Sequence, residues 1–138
     1  MAMPVSPNAR LFYRAAKQQY DDALLLLQLQ RTTGAVYLAG YSVECMLKAL
    51  ILESVSDRQE LLILAQFRGQ QAHNPGWLLR LYKKTVSANV PTNVIAHLVR
   101  VNSWSTDMRY QPSFMDEGDA QGFMKSVEQI TLWVERRL

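Results

Sequence analysis

Cysteine occurs once in these 138 residues, as Cys45, and histidine only twice, as His73 and His97. A single thiol excludes an internal disulfide, and within an apolar stretch it reads as a small core residue. Neither histidine has a second ligand at helical spacing, so no metal centre, metal-dependent catalysis or cofactor is expected. The chain also lacks a phosphate-binding glycine loop and a Gly-x-Ser-x-Gly elbow. Strand-like alternation, internal repeats and low-complexity tracts are absent as well. No apolar run is long enough to span a bilayer without charge, because Glu44 and Lys48 interrupt the one candidate. The first eight residues have neither the basic nor the apolar region of a signal peptide. The expectation is a cytoplasmic protein with no membrane association.

Hydrophobic residues make up 49% of the chain and charged ones 20%, the balance of a folded protein rather than a disordered one. The length suits a single domain, 1–138, of which residues 1–7 read as a flexible tail. The net charge is only +3, but it is unevenly spread. Residues 54–110 carry seven basic and three acidic side chains, so the middle of the chain is the basic part. That surplus permits an anionic ligand there without requiring one.

The pattern of apolar residues predicts an all-α fold. Asn8, after Pro7, is a candidate N-cap for a first helix with Leu11, Phe12, Ala15, Ala16, Tyr20, Ala23, Leu24 and Leu27 as its apolar stripe. Arg31 to Gly34 closes it, and residues 34–53 form a second helix, antiparallel to the first because the connection is so short. This second helix is apolar nearly all round, which marks it as central. Asp57 caps a shorter helix through Leu61 to Leu64, and residues 66–76 read as a loop. A short helix follows over Trp77 to Lys83. Pro91 starts another, with Val94, Ile95, His97, Leu98 and Val101 facing inward. Residues 102–112 read as irregular. The last helix, from Asp116 or Asp119 to Leu138, uses Phe123, Met124, Val127, Ile130, Thr131 and Val134 as its inner face. The predicted architecture is an up-and-down four-helix bundle with short extra helices inserted between the second and last long helices.

Glu44 is the informative residue. An unpaired carboxylate midway along a central helix is costly to bury. Lys48, four residues on, shares its face and can pair with it. Arg109 is a second candidate partner, since a guanidinium bonds a carboxylate through two parallel contacts. Such a pair would either build a polar site or simply pin the last connection to the bundle.

Residues Ala35 to Leu50 resemble the second helix of the prokaryotic HEPN domain. The stretch from Trp104 through Arg109-Tyr110 to Pro112 is similar to that family's other hallmark. His73 followed by Trp77-Leu78 and Leu81 is similar to the His-led short helix that many members place between the two. The resemblance covers roughly residues 8–138. It implies a helical bundle that commonly forms homodimers and is often encoded beside a small nucleotidyltransferase. It also implies nucleotide or RNA binding, or toxin ribonuclease activity without metal through an Arg followed four to six residues later by His.

Here the chain departs from the pattern. After Arg109 the matching positions are Phe114, Met115 and Asp116, and after Arg100 they are Ser105, Thr106 and Asp107. A literal Arg-x4-His occurs only at Arg68 and His73, ahead of Trp77, where His73 is better placed to order the loop by hydrogen bonding. Three functions are therefore expected, in this order. The first is a nucleotide- or RNA-binding module with Tyr41, Glu44, Lys48, Trp104, Asp107, Arg109 and Tyr110 in a polar cleft, as part of a toxin–antitoxin or nucleotidyltransferase-associated system. Second comes a dimeric scaffold for a nucleotidyltransferase. Third is a metal-independent endoribonuclease using Arg109 and His73.

Overall fold

The structure, a computed structural model, describes residues 3–107 and 115–138, and of residues 103–107 only the backbone. Among the described residues six helices follow one another: α1 (Pro7–Gln28), α2 (Thr32–Ser54), α3 (Asp57–Gln66), α4 (Pro75–Val86), α5 (Thr92–Asp107) and α6 (Glu117–Glu135). A 3-10 turn, Gln70–His73, precedes α4. No strand occurs among the described residues.

Local chemistry sets the helix ends. The N-cap of α1 is Ser6 rather than Asn8: its hydroxyl accepts from the Ala9 amide at 3.2 Å, with Pro7 in the first turn, where its missing N–H costs nothing. At the other end Arg31 N donates to Leu26 O at 2.8 Å and Gln30 N to Leu27 O at 3.0 Å, while Gln30 takes φ 61°. This is a Schellman ending with glutamine in the left-handed position that glycine usually fills. The chain reverses there, so Thr32 and Thr33 already belong to α2 and do not close α1. Ser56 and Gln59 form a capping box at the start of α3. Asn74 caps α4 and Asp116 caps α6.

Hydrogen bonds between helices give their directions. Glu53, at the end of α2, accepts from Val5 N at 2.7 Å and Ser6 N at 3.0 Å, so α1 begins where α2 ends. Pro4 is buried and Ser6 also donates to Glu60 of α3, so residues 4–6, expected as part of a loose tail, are fastened to the bundle. Thr32 donates to Met115 O at 2.6 Å and Met115 N donates to Thr33 at 3.0 Å, which sets α6 parallel to α2. Tyr13 of α1 donates to Glu135 at the end of α6 at 2.6 Å. On α5, His97 bonds Ser126 at 2.9 Å and Arg100 donates to Gly122 O at 3.4 Å, an antiparallel match with α6. The long helices α1, α2, α5 and α6 therefore run alternately up and down.

Every residue from Ser42 to Leu52 is buried, so α2 is the core helix. By length and composition it could cross a membrane, but 78% of its apolar window is buried inside the protein. The inner face of α6 is the expected one, Phe123, Met124, Val127, Ile130, Thr131 and Val134 all being buried. The face of α1 is largely the expected one: Ala16 and Ala23 are buried and Phe12, Ala15, Tyr20 and Leu27 pack against the core, joined by Ala9 and Tyr13, while Leu11 is 65% exposed and Leu24 lies at the surface. Alanines on α1 let α2 approach closely enough for Ser42 to donate to the Ala16 carbonyl at 2.9 Å. Residues 102–107 continue α5 instead of forming irregular chain. Trp133 and Tyr13 are core residues, 5% exposed each.

Two stability effects are expected. Replacing Gln30 with glycine relieves the left-handed backbone and raises unfolding free energy by about 0.5–1 kcal/mol in urea denaturation. Burial first, then the bond to Glu135 and its charge, raise the Tyr13 pKa well above the ordinary phenol value. The unfolded chain then releases that proton near pH ~10 while the native one keeps it, so stability falls as pH rises above this point. Melting between neutral pH and pH ~11 is expected to show a smaller alkaline loss for Tyr13→Phe than for the parent.

Candidate functional site

Glu44 sits at the middle of α2, 7% exposed, and Lys48 lies one turn later at 4%. Lys48 Nζ donates to Glu44 Oε2 at 2.9 Å. The ammonium also stands 5.6 Å from the Phe12 ring centroid and 5.4 Å from that of Phe67. Those two rings meet edge to face at 5.9 Å and 84°. Lys48 is thus held by one carboxylate and two aromatic rings, where cation–π attraction is strengthened by the exclusion of water. Its charge is spent inside the protein, on Glu44.

Glu44 has a second partner. His73, the last residue of the 3-10 turn, places Nδ1 3.2 Å from both carboxylate oxygens. An ionised carboxylate only accepts, so Nδ1 carries the hydrogen, and in the neutral imidazole Nε2 holds the lone pair. The His73 side chain is half exposed, whereas Glu44 beneath it is buried. The result is an imidazole fixed at the surface by a buried ion pair. The loop expected over residues 66–76 is ordered by this contact and by its neighbours. Asn74 Oδ1 accepts from Trp77 N at 3.0 Å, and Gly76 N donates to Asn102 Oδ1 at 3.2 Å, tying the start of α4 to α5.

Above Glu44 on the same side of α2 stand Tyr41 and, one turn earlier, Tyr37. Their rings meet at 5.0 Å and 77°, and their hydroxyls lie 3.1 Å apart. Tyr37 is 44% exposed, which leaves an aromatic edge open to a planar ligand. Cys45, beside Glu44, faces the core. Burial, reinforced by the Glu44 charge and opposed by Lys48, pushes its thiol up to about 11, so it is not a nucleophile at neutral pH.

Among the expected site residues, the structure brings together Glu44, Lys48 and His73, while Tyr41 lies about one turn before Glu44 on α2 and meets Tyr37. The pairing of Glu44 with Lys48 follows the spacing, while the pairing with His73 joins residues 29 positions apart. Arg109 and Tyr110 lie outside the described residues, and with them the expected Glu44–Arg109 pair. Trp104 and Asp107 belong to the last turns of α5, where only the backbone is described. Arg68 is exposed. His97 is half-buried and bonds the buried Ser126, a tie between α5 and α6. Phe12, Phe67, Asn74 and Asn102 complete the surroundings without having been anticipated. Only Asn74, between His73 and Pro75, carried a cue, as a helix cap.

A cavity of about 360 Å³ lies elsewhere, lined by Arg100, Gly118, Asp119 and Gly122. None of the expected site residues lines it. Among the described residues no cluster of three or more His, Cys, Asp or Glu is placed to hold a metal ion.

Compared with known proteins, residues 9–137 match the model of a family described as the HEPN domain. No curated protein matches the chain. Among solved structures, TT1696 from Thermus thermophilus is similar with a TM-score of 0.66 at 18% identity, over 96% of this chain and 100% of that one. At that identity the likeness is one of fold.

The buried pair yields a double-mutant test. Lys48→Met strands Glu44 and is expected to cost about 3–5 kcal/mol in chemical denaturation, whereas Glu44→Gln combined with Lys48→Met costs much less than the sum of the two single changes.

Proposed function

The chain belongs to the HEPN domain family, and from that membership we propose that it is a nucleotide- and RNA-binding module. We place it in the cytoplasm as a homodimer, within a toxin–antitoxin or nucleotidyltransferase-associated system. The observation that carries the binding role is the half-exposed His73 ring, seated on the buried Glu44–Lys48 pair of the same helix that carries the Tyr37–Tyr41 edge. The imidazole can bond a phosphate or ribose hydroxyl, and a tyrosine ring offers a stacking face to any base. Arg109 and Tyr110 add a guanidinium for phosphate and a further ring. Lys48 acts indirectly by fixing Glu44. The sequence has no histidine four to six residues after Arg109 or Arg100, which favours binding over cleavage.

A second reading, metal-independent endoribonuclease, is favoured by the Glu44–His73 contact. A carboxylate behind an imidazole sets its tautomer and orientation, as a general acid or base requires. Arg109 would then meet the scissile phosphate. In the scaffold reading, a nucleotidyltransferase partner is bound and neither nucleotide nor RNA is.

Titrating the full chain with mononucleotides and single-stranded RNA, and incubating labelled RNA with it in EDTA, separates the three. Saturable binding weakened roughly tenfold by Tyr41→Ala, without cleavage, is the expected result. Cleavage abolished by His73→Ala would establish the nuclease instead, and an absence of all binding would leave the scaffold.

A further inference from the structure

The segment between α2 and the 3-10 turn is attached far more lightly than its neighbours. Every residue from Ser42 to Leu52 is buried, whereas from Ser56 to Arg68 only Ile63 and Phe67 are. Leu61 and Leu62 stand 73% and 66% exposed, so these large side chains contribute little to holding α3 down. Internally α3 is complete. A capping box satisfies its start, and at its end Phe67 N donates to Ile63 O at 3.0 Å. Among the described residues no backbone hydrogen bond joins residues 56–68 to another element.

Ile63 and Leu64 rest on the core, and two further side-chain contacts fasten the segment, one towards each end. Ser6, ahead of α1, donates to Glu60. Roughly 10 Å further along by helical rise, the Phe67 ring meets Phe12 edge to face and stands 5.4 Å from Lys48 Nζ. Extended residues bound the segment, Val55 at φ −110° and ψ 163° and Gly69 at φ −79° and ψ 157°. Residues at the ends of elements can absorb a change of direction without disturbing the helices they join. Beyond Gly69 the 3-10 turn is held separately, by His73 on Glu44 and by the buried Ala72. A segment with a sound interior, few buried contacts and pliant ends opens before the rest of a fold.

We propose that residues 56–68 form a hinged lid over the Lys48 ammonium, latched by Ser6 on Glu60 and by Phe67 on Phe12. Closed, the lid supplies one of the two rings against the ammonium and, with Phe12, keeps water from the Glu44–Lys48 pair. Opening carries Phe67 away and turns Lys48 towards solvent, while His73 keeps its place on Glu44. The α2 site therefore has two forms, one that hides its primary amine and one that presents it. The inference concerns the chain alone and goes beyond the binding reading, since it holds whatever the site takes.

Amine acetylation of the full chain with an N-hydroxysuccinimide ester, read by peptide mass spectrometry, provides the test, with backbone hydrogen exchange followed in parallel. Labelling of Lys48 reads the lid, the slowest amides of α6 read global opening, and the exposed Lys83 and Lys84 read the reagent. The variant is Glu60→Ala. It removes the latch at the end of the lid away from Phe67, keeps a good helix former in α3 and leaves the Ser6 cap on Ala9 in place. In the parent, Lys48 is expected to react far more slowly than Lys83 or Lys84, yet faster than global opening allows. Glu60→Ala is expected to speed Lys48 roughly fivefold and to leave the α6 amides unchanged. Acetylation of Lys48 no faster than global opening overturns the lid, and so does a rate that Glu60→Ala leaves as it was. An acceleration that the α6 amides share makes Glu60 a support of the whole fold and overturns the lid as well.

Discussion

The contact between Glu44 and Lys48 lies where every residue from Ser42 to Leu52 is buried, and it constrains what can surround the core helix. Taking two ions out of water costs several kcal/mol each before their attraction is counted. Three features offset the cost here: the 2.9 Å bond, the Phe12 and Phe67 rings around the ammonium, and the imidazole against the carboxylate. Two well-packed apolar side chains would serve the bundle at least as well. What the ionic pair adds is a demand for a third partner. His73 meets that demand, and the chain between α3 and α4 is held against the middle of α2 as a result.

This explains how the short segments relate to the long helices. α1, α6 and α4 pack around α2 and bury most of its circumference, while α5 packs mainly on α6. The Tyr37, Tyr41, Glu44 and Lys48 side is closed at its lower part by Phe12, Phe67 and the 3-10 turn, and at its upper part less completely. At that border Glu44 and Lys48 stay buried, while the His73 ring and the Tyr37 edge reach the surface.

The central helix, its ion pair at i and i+4, and the inner face of α6 were legible because each depends on spacing within one element. Most of the α1 face was legible for the same reason, but Leu11 and Leu24 lie at the surface and Ala9 and Tyr13 take places in the core. Close approach of α1 to α2 depends on the small size of Ala9, Ala16 and Ala23, which a hydrophobic pattern underweights. The continuation of α5 through residues 102–107 was hidden by polar side chains that look like a loop. One of them, Asn102, serves as an acceptor for Gly76 N from α4. His73 could be singled out but not its seat, because a contact across 29 residues leaves no trace in local pattern. Arg109, the partner expected for Glu44 on its chemistry, lies outside the described residues, among which Lys48 and His73 bond Glu44.

The two histidines differ in ways that make the central claim directly observable. His73 is half exposed on a buried carboxylate, while His97 bonds the buried Ser126 between α5 and α6. Both rings can be followed by nitrogen-detected NMR of the full chain as single-stranded RNA is added. The account predicts that the ring signals of His73 report a hydrogen on Nδ1 and shift saturably with RNA, while those of His97 stay in place. Shifts at His97 with His73 unmoved would contradict it.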